Sequence, residues 1–568
     1  MAKLLQFNRP RDPNLRNVEA LRQHADQRLV GLRGDRTSWW SHWSELANYI
    51  LPRRFQWLVS PNQQRGSQIN HRIIDSCGTK AARVLGAGLV TGNTNPGRPW
   101  FRLTLDDKDM MKKGPVKIWL EECTKRLLAI MAESNFYTAM GTLYFDLGVF
   151  GTAPMVIQED REDVIRCYNA ACGEYYLANG DRGDVQTFYR EYLYTAQQCA
   201  TRFGVENASP TVQSAIRTGG SSLGQEVKIA HAIEQNDEYV PEAHGTKGMP
   251  YREIYWELGS GQDQALRVRG FHENPVIAPR WDVSGNDAYG RSPGMDALGD
   301  IKQIQIQHKR KAQAIDKQVN PPLVAHVSLK NEPASVLPGG VTYAADPSGV
   351  GMKPVYEVNP NLADMKEDIR DTRDRIRETF YYDLFMMIAQ LDTVRTATEI
   401  DARREEKLIQ LSPALTRNHG EALDPAIDRI FGIALRKGVL PPVPRELIGV
   451  PIRVEYVSML AELQKAVETA GIERAFYFGG QLEKLRPGTL DKLDSDEALE
   501  IYTDRLGVSP RIVVPQDKVL QIRAQRAERD QMAQTAALAA QGAKAAKDLS
   551  AADVGGGINA MQMMVGGG

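Results

Sequence analysis

The chain has 568 residues, 42% of them hydrophobic, which is enough apolar material for sizeable cores and, at the usual length per domain, for about three to four domains. Lys and Arg total 70 against 71 Asp and Glu, a formal net charge of −1. That balance excludes a polybasic nucleic-acid coat, whose affinity rests on excess positive charge, but not a protein that handles DNA without gripping it.

Helix dominates the first third. Trp39, Trp40, Trp43, Leu46, Tyr49 and Ile50 recur at spacings of three and four, a bulky stripe on one helical face that Pro52 closes. At that spacing the three tryptophans read as core and not as a base-stacking platform. A second helix is predicted from Ile73 to Val90; its Ala81, Ala82, Gly86, Ala87 and Gly88 suit close packing against a neighbour. Residues 115–150 read as a further helical run.

From about 152 to 282 the texture turns to strands: APMVIQ (153–158), TFYREYLYT (187–195), VKIAHAIEQ (227–235), REIYWEL (252–258) and ALRVRGF (265–271). Turn signals such as Asn179-Gly180-Asp181 separate them, pointing to an antiparallel layer beside the helices, hence an α+β fold that is mainly helical. Helix returns over Met295–Val319 and stops at Pro321-Pro322; residues 323–358 form a Pro/Gly-punctuated, strand-like insert. A second long helix follows from Leu362, with Leu362, Met365, Ile369, Ile376, Phe380 and Leu384 on one face and alternating charges on the other. Two long helices thus bracket a small β insert. Further helix is predicted over Thr396–Arg436, kinked at Pro413 and Pro425, over Leu460–Leu499, and in an Ala-rich tail over Lys518–Lys547; Gly555 onward reads as disordered.

Five cysteines give no disulfide framework; Cys167 and Cys172 read as structural thiols, since no second pair completes a metal tetrad. No apolar run reaches the length of a membrane span, and the N-terminus lacks a signal-peptide core, so a soluble, intracellularly made protein is expected. There is no G-x-x-x-x-G-K-[ST] loop, so a P-loop motor is not expected, and no metal or cofactor is implied. Gly220-Ser221-Ser222-Leu223-Gly224 fits G-x-S-x-G, but a nucleophile elbow follows a strand and opens a helix; here the order is reversed. A serine hydrolase using Ser222 is therefore only a distant alternative. The 302–317 helix carries Lys302, Lys309, Arg310, Lys311 and Lys317 against Asp316, a net +4 that is either a solvated face or, beside a pore, a phosphate-facing one.

Five strings then acquire a common meaning: RIIDSCGTKAARVLGAGLVTGNTNPGRPWFRL (72–103), PRWDVSGNDAYGRSPGMDALGDIKQIQ (279–305), RTATEIDARREEKLIQLSPALTR (395–417), EALDPAIDRIFGIALRKGVLPPVP (421–444) and VEYVSMLAELQKA (454–466). In these, and in their order, the sequence resembles the head-to-tail connector, or portal, proteins of T7-like short-tailed bacteriophages. Met459 departs from the family's Ser-Pro-Leu-Ala string, where Pro is expected, a difference that touches only a local turn.

The resemblance implies a ring-forming subunit with a wing (1–287), stem helices (288–320 and 361–386), a clip (321–360), a tunnel loop (387–396), a wing return helix (397–444), a crown with C-terminal helices (445–547) and a disordered tail (548–568). It implies a dodecamer at one capsid vertex of the virion, made in the host bacterial cytoplasm, with double-stranded DNA passing through its channel and no membrane partner. Terminase, a tail adaptor, and major capsid and scaffolding proteins are the implied partners. On this reading the protein is a structural conduit and not an enzyme; a ring-forming tail or adaptor protein is the alternative. The DNA-channel candidates are Lys302, Lys309, Arg310, Lys317, Gln390, Asp392, Thr393 and Arg395; the clip candidates for terminase docking are Ser328, Lys330, Asn331 and Glu332. Inter-subunit salt bridges are the competing role for such charges, and the better one for the second long helix.

Overall fold

The computed structural model describes residues 19–55, 70–111, 113–260, 264–320, 323–324, 353–354, 361–389, 410–457, 475–482, 493–496, 498–499, 514 and 516–551. The fold is α+β and mainly helical. It divides into two compact units, one of residues 1–101, 123–441 and 456–464, the other of 102–122, 442–455 and 465–568.

In the first unit, α1 (Glu19–Tyr49) buries Trp43 and Leu46 fully, and Trp43 Nε1 donates to the Phe150 carbonyl at 3.2 Å. Trp40 packs against Phe55 with ring centroids 4.8 Å apart, so the tryptophan stripe is core. Helix α2 (Cys77–Asn93) begins and ends a few residues later than its apolar pattern indicates. Its small residues let neighbours approach: a Cβ on Gly88 would fall 2.1 Å from the Phe385 ring, and one on Gly86 3.0 Å from that of Phe145. After β1 (Phe101–Thr104) and the single turn α3 (Lys108–Met111), the run 115–150 is two helices, α4 (Gly114–Glu133) and α5 (Phe136–Phe150), interrupted at Ser134-Asn135.

Strands β2 (Met155–Glu159), β3 (Ile165–Asn169) and β9 (Val276–Ile277) form one small sheet. The larger sheet is an antiparallel meander in the order β4 (Tyr175–Asn179), β5 (Val185–Thr195), β6 (Glu226–Gln235), β7 (Tyr251–Glu257) and β8 (Arg267–Phe271). Both its faces are covered. Ala25, Leu29 and Leu32 of α1 pack on Tyr189, Ala230, Ala232, Ile254 and Trp256. On the other face, Ile229, Tyr255 and Leu266 meet Cys199 and Phe203 of α6 (Ala196–Phe203) and Val212 and Ala215 of α7 (Pro210–Thr218). Successive residues of β6 alternate between these cores, which is why VKIAHAIEQ lacks the apolar–polar alternation of a half-exposed strand. The two helices interrupt a stretch that reads as strands in sequence; Thr195 opens α6 with a capping box to Gln198, and Ser209 caps α7 ahead of Pro210.

The turn α8 (Pro293–Asp296) leads into α9 (Leu298–Val319). Then β10 (Leu323–Val324) pairs antiparallel with β11 (Lys353–Pro354), before α10 (Leu362–Thr379) and α11 (Tyr382–Ala389). Residues 410–418 are helical through Pro413. Irregularity does occur at the second proline: a π turn, His419–Leu423, runs directly into α12 (Asp424–Arg436), of which Pro425 is the second residue.

In the second unit, Arg102 of β1 pairs with Glu455 of β12 (Arg453–Tyr456) at 2.8 Å, and α13 (Gln516–Ala551) continues past Lys547. No helix among the described residues is long and apolar enough to cross a membrane.

Candidate functional site

The hairpin of α9 and α10 brackets the β10–β11 pair, and two polar rungs fix its antiparallel register. Asp300 accepts from Arg375 at 3.1 Å near the base, and Gln307 donates to Asp368 at 2.5 Å and to Thr372 at 3.2 Å further out. Between them lies an apolar seam: Leu298, Ile301 and Ile304 of α9 are buried, as are Ile369 and Ile376 of α10. These positions recur at three or at seven, spacings that keep one helical face inward.

Asp75 secures the hairpin base. Its carboxylate takes Arg373 Nη2 at 2.6 Å and faces His308 Nε2 at 2.9 Å. Burial would raise this carboxyl, but the hydrogen bond from Arg373 and the one from the Cys77 N–H hold it below the ordinary aspartate value. Gln305, buried in α9, accepts from the N–H groups of Ile74 and Asp75 at 2.7 and 2.8 Å and donates back to the Asp75 carbonyl at 3.0 Å. The string around Asp75 thus has a physical task, positioning the first long helix. No periodicity marks Asp75 or Gln305 in the sequence; the one available sign is a polar residue on an otherwise apolar face of α9.

Beyond the seam, most side chains of α9 are exposed among the described residues. Lys309, Arg310 and Lys317 are exposed and make no ion pair among the described residues; Ile306, Ile315 and Val319 are exposed with them, Val319 by 78%. Arg310 and Lys317, seven residues apart, share a face, while Ile315 and Val319, four apart, share one roughly opposite. Lys302 differs: its Nζ pairs with Glu45 of α1 at 2.6 Å, above the Tyr49 ring. The charges of α10 are also used within the chain, Arg373 on Asp75, Arg375 on Asp300, and Arg377 on Asp374 at 3.2 Å. Gln390, Asp392, Thr393 and Arg395 lie outside the described residues, as do Ser328, Lys330, Asn331 and Glu332.

Ser222 lies in a 3-10 turn, Gly220–Gly224, entered from α7 and left into β6, the reverse of a nucleophile elbow. Cys167 and Cys172 are buried, and burial pushes the Cys167 thiol up to about 12, as expected of core thiols.

The larger sheet holds a buried ionisable chain that sequence reasoning misses. Arg190 Nε donates to His231 Nδ1 at 3.0 Å, and His231 Nε2 meets Glu253 Oε1 at 2.9 Å, which also accepts from the Tyr255 hydroxyl at 2.8 Å. Arg190 and His231 are directly opposed across β5 and β6. A guanidinium donating to Nδ1 leaves only Nε2 to carry the proton, so the imidazole is neutral and donates to Glu253. Burial moves His231 down to about 4; Glu253 is lowered to about 2, because its bonds to His231 and Tyr255 outweigh its burial.

Compared with known proteins, residues 22–513 match the family model of the bacteriophage head to tail connecting protein. The chain is 43% identical over 514 residues to a portal protein of Salmonella phage epsilon15, covering 90% of this chain and 92% of that one. It is 42% identical over 500 residues to a probable portal protein of Bordetella phage BPP-1, covering 88% and 89%. With a match of that length and relatives of that similarity, the chain belongs to the family of bacteriophage head-to-tail connecting proteins.

Proposed function

We propose that the chain is the subunit of a twelve-membered portal ring at one vertex of the capsid, assembled in the host bacterial cytoplasm and carried in the virion. Double-stranded DNA enters through its axis during packaging and leaves through it on ejection. The observation that carries this reading is the outer half of α9, with exposed apolar Ile315 and Val319 on one face and, on another, Arg310 and Lys317, which make no ion pair among the described residues. Such a helix needs a neighbour for its apolar face and has cations to spare for phosphate.

A side chain facing the axis recurs in every subunit, and each neutralised phosphate adds to affinity, so a wholly basic lining would trap DNA. Cancelling Lys302 against Glu45 and the arginines of α10 against Asp75, Asp300 and Asp374 leaves a few basic rings, which centre a duplex and let it slide. The channel candidates are Lys309, Arg310 and Lys317, with Gln390, Asp392, Thr393 and Arg395 in the tunnel loop. The insert between β10 and β11 is the clip that docks terminase and then the tail adaptor, with Ser328, Lys330, Asn331 and Glu332 as docking candidates; the wing meets the major capsid and scaffolding proteins. The protein is a conduit, and the ATP-driven work belongs to terminase.

Native mass measurement with negative-stain imaging tests this reading. A closed ring of about twelve copies, with an axial hole of roughly 20 Å or more to pass B-DNA, is the expected result. A monomer or dimer at every salt concentration would sink it.

A further inference from the structure

Two arginines on the α6 side of the larger sheet crowd the same pair of rings. Arg202 lies in the last turn of α6, and Arg267 opens β8 directly opposite Tyr255 of β7. Arg202 Cζ is 5.3 Å from the Tyr255 ring centroid and 5.8 Å from that of Phe203; for Arg267 the distances are 5.2 and 5.3 Å. Both side chains are partly buried, and neither makes an ion pair among the described residues. Arg202 donates only to neutral acceptors, the Tyr194 and Tyr255 hydroxyls, at 2.7 and 3.2 Å. The Arg267 guanidinium makes no hydrogen bond among the described residues, and its Nε is buried.

The carboxylates nearby are already committed. The charges around the Tyr255 hydroxyl are Arg190, Arg202 and Arg267 against Glu253. One Glu253 oxygen takes His231, Tyr255 and the Gln158 amide, while Glu174 faces Arg190 at 3.5 Å. Burial and the charges of Arg269 and Arg202, outweighing that of Glu253, move Arg267 below the ordinary arginine value. The aromatic faces offset part of the cost of burying a guanidinium. They do nothing for the repulsion between two like charges, which an opposite charge relieves.

A cleft of 380 Å³ beside Arg202 has room for that charge, within the roughly 300–1,000 Å³ usual for ligand sites. Tyr194, Gln197, Gln198, Thr201 and Arg202 line it, so amide, hydroxyl and guanidinium donors are present and no acid is. We propose that this cleft is an anion site in which Arg202, assisted by the charge of Arg267, binds the oxygens of a phosphate or carboxylate group. A planar guanidinium presents parallel donors that match such oxyanions two bonds at a time, a match that single-centred chloride does not offer. Free phosphate and an acidic side chain of a partner share this chemistry, and the test separates them. The site includes no residue of the α9–α10 hairpin, so the inference stands apart from the portal reading.

Thermal unfolding of the full-length protein at constant ionic strength tests it, with chloride replaced stepwise by inorganic phosphate or by acetate. A ligand that binds the folded chain alone raises the midpoint by mass action. A saturating rise with at least one of the two anions is expected, lost in Arg202→Gln, reduced in Arg267→Gln and kept in Arg182→Gln, which removes an exposed charge between β4 and β5. A rise with phosphate alone assigns the site to free phosphate, and a rise with acetate alone to an acidic side chain. No rise with either anion overturns the proposal, and so does an equal rise in the parent and in Arg202→Gln. Arg202→Lys, which keeps the charge and lacks the paired donors, serves if the glutamine variant does not fold: a weakened rise supports the site, and an unchanged one refutes it.

Discussion

Arg280 and Glu421 meet as a fork: Nη2 and Nε of the guanidinium donate to the two carboxylate oxygens at 2.7 and 3.2 Å, and the Arg280 backbone N–H donates to the same carboxylate at 2.9 Å. The remaining donors of Arg280 reach the carbonyls of Gly183 at 2.8 Å and Asp287 at 3.0 Å. One arginine, 4% exposed, therefore ties the π turn to the β4–β5 hairpin. Removing Arg280 leaves the half-buried Glu421 carboxylate and two backbone carbonyls without their donors. Arg280→Met is expected to destabilise the protein by about 3–5 kcal/mol, and Arg280→Lys, which cannot form the fork, by an intermediate amount. Denaturant titration of the two variants checks this, and an unchanged midpoint for Arg280→Met would contradict the role.

The Arg190–His231–Glu253 chain predicts a pH profile. His231 is lowered from 6.5 to about 4, so as pH falls below 6.5 the unfolded chain takes up a proton that the folded one refuses. Its contribution is fully present above 6.5 and is lost as pH falls toward 4. Glu253, lowered from 4.5 to about 2, extends the loss from 4.5 downward. Unfolding free energy measured from pH 8 to 4 should therefore be steady above 6.5 and decline below it, and His231→Gln should flatten the upper part of that decline. An identical slope in the variant between 6.5 and 5 would mean that other groups carry it.

Close approach at α2 makes Gly88 intolerant of a side chain, because the Phe385 ring that a Cβ would strike is itself buried. Gly88→Ala is expected to cost about 1–3 kcal/mol by overpacking. Gly31, with nothing within 4 Å of its Cβ position, is the control: Gly31→Ala should be neutral or stabilising, as removal of glycine from a helix interior allows. Thermal unfolding of the pair separates packing from backbone effects.

On the portal reading proposed above, the two classes of cation on α9 predict different outcomes. Lys309→Glu and Arg310→Glu should weaken duplex binding and lower its salt dependence, by about 0.9 in logarithmic slope for each phosphate no longer neutralised. Lys302→Ala, which breaks an exposed pair with Glu45, should change stability by no more than about 1 kcal/mol and leave the salt slope alone. Duplex binding measured across salt concentrations distinguishes them. Equal effects from Lys302 and Arg310 would mean that pairing within the subunit does not govern which charges DNA meets.

Much of this architecture is legible in sequence because it rests on periodicity. The tryptophan stripe of α1 and the apolar faces of α9 and α10 announce themselves at spacings of three and four, and β5 to β8 of the larger sheet as strand-rich runs between turn signals, whereas β4 (Tyr175–Asn179) does not stand out. Helix α6 does not, since its short amphipathic turn sits among strand-like residues and is decided by the Thr195–Gln198 capping box. The π turn escapes for another reason: Pro413 and Pro425 look alike in sequence, yet only Pro425 has a π turn immediately before it. Charge counts along α9 identify its cations but not their partners. Lys302 is neutralised by a glutamate 257 residues away, and only the fold brings the two together.

The β10–β11 pairing has an evolutionary consequence. Leu323 faces Pro354 and Val324 faces Lys353, so the chain leaves α9 and returns toward α10 through a closed neck. Whatever lies between can lengthen, shorten or be exchanged without altering the register fixed by Asp300–Arg375 and Gln307–Asp368. Change in the intervening residues is thus uncoupled from the helices, whose pairing rests on contacts outside them.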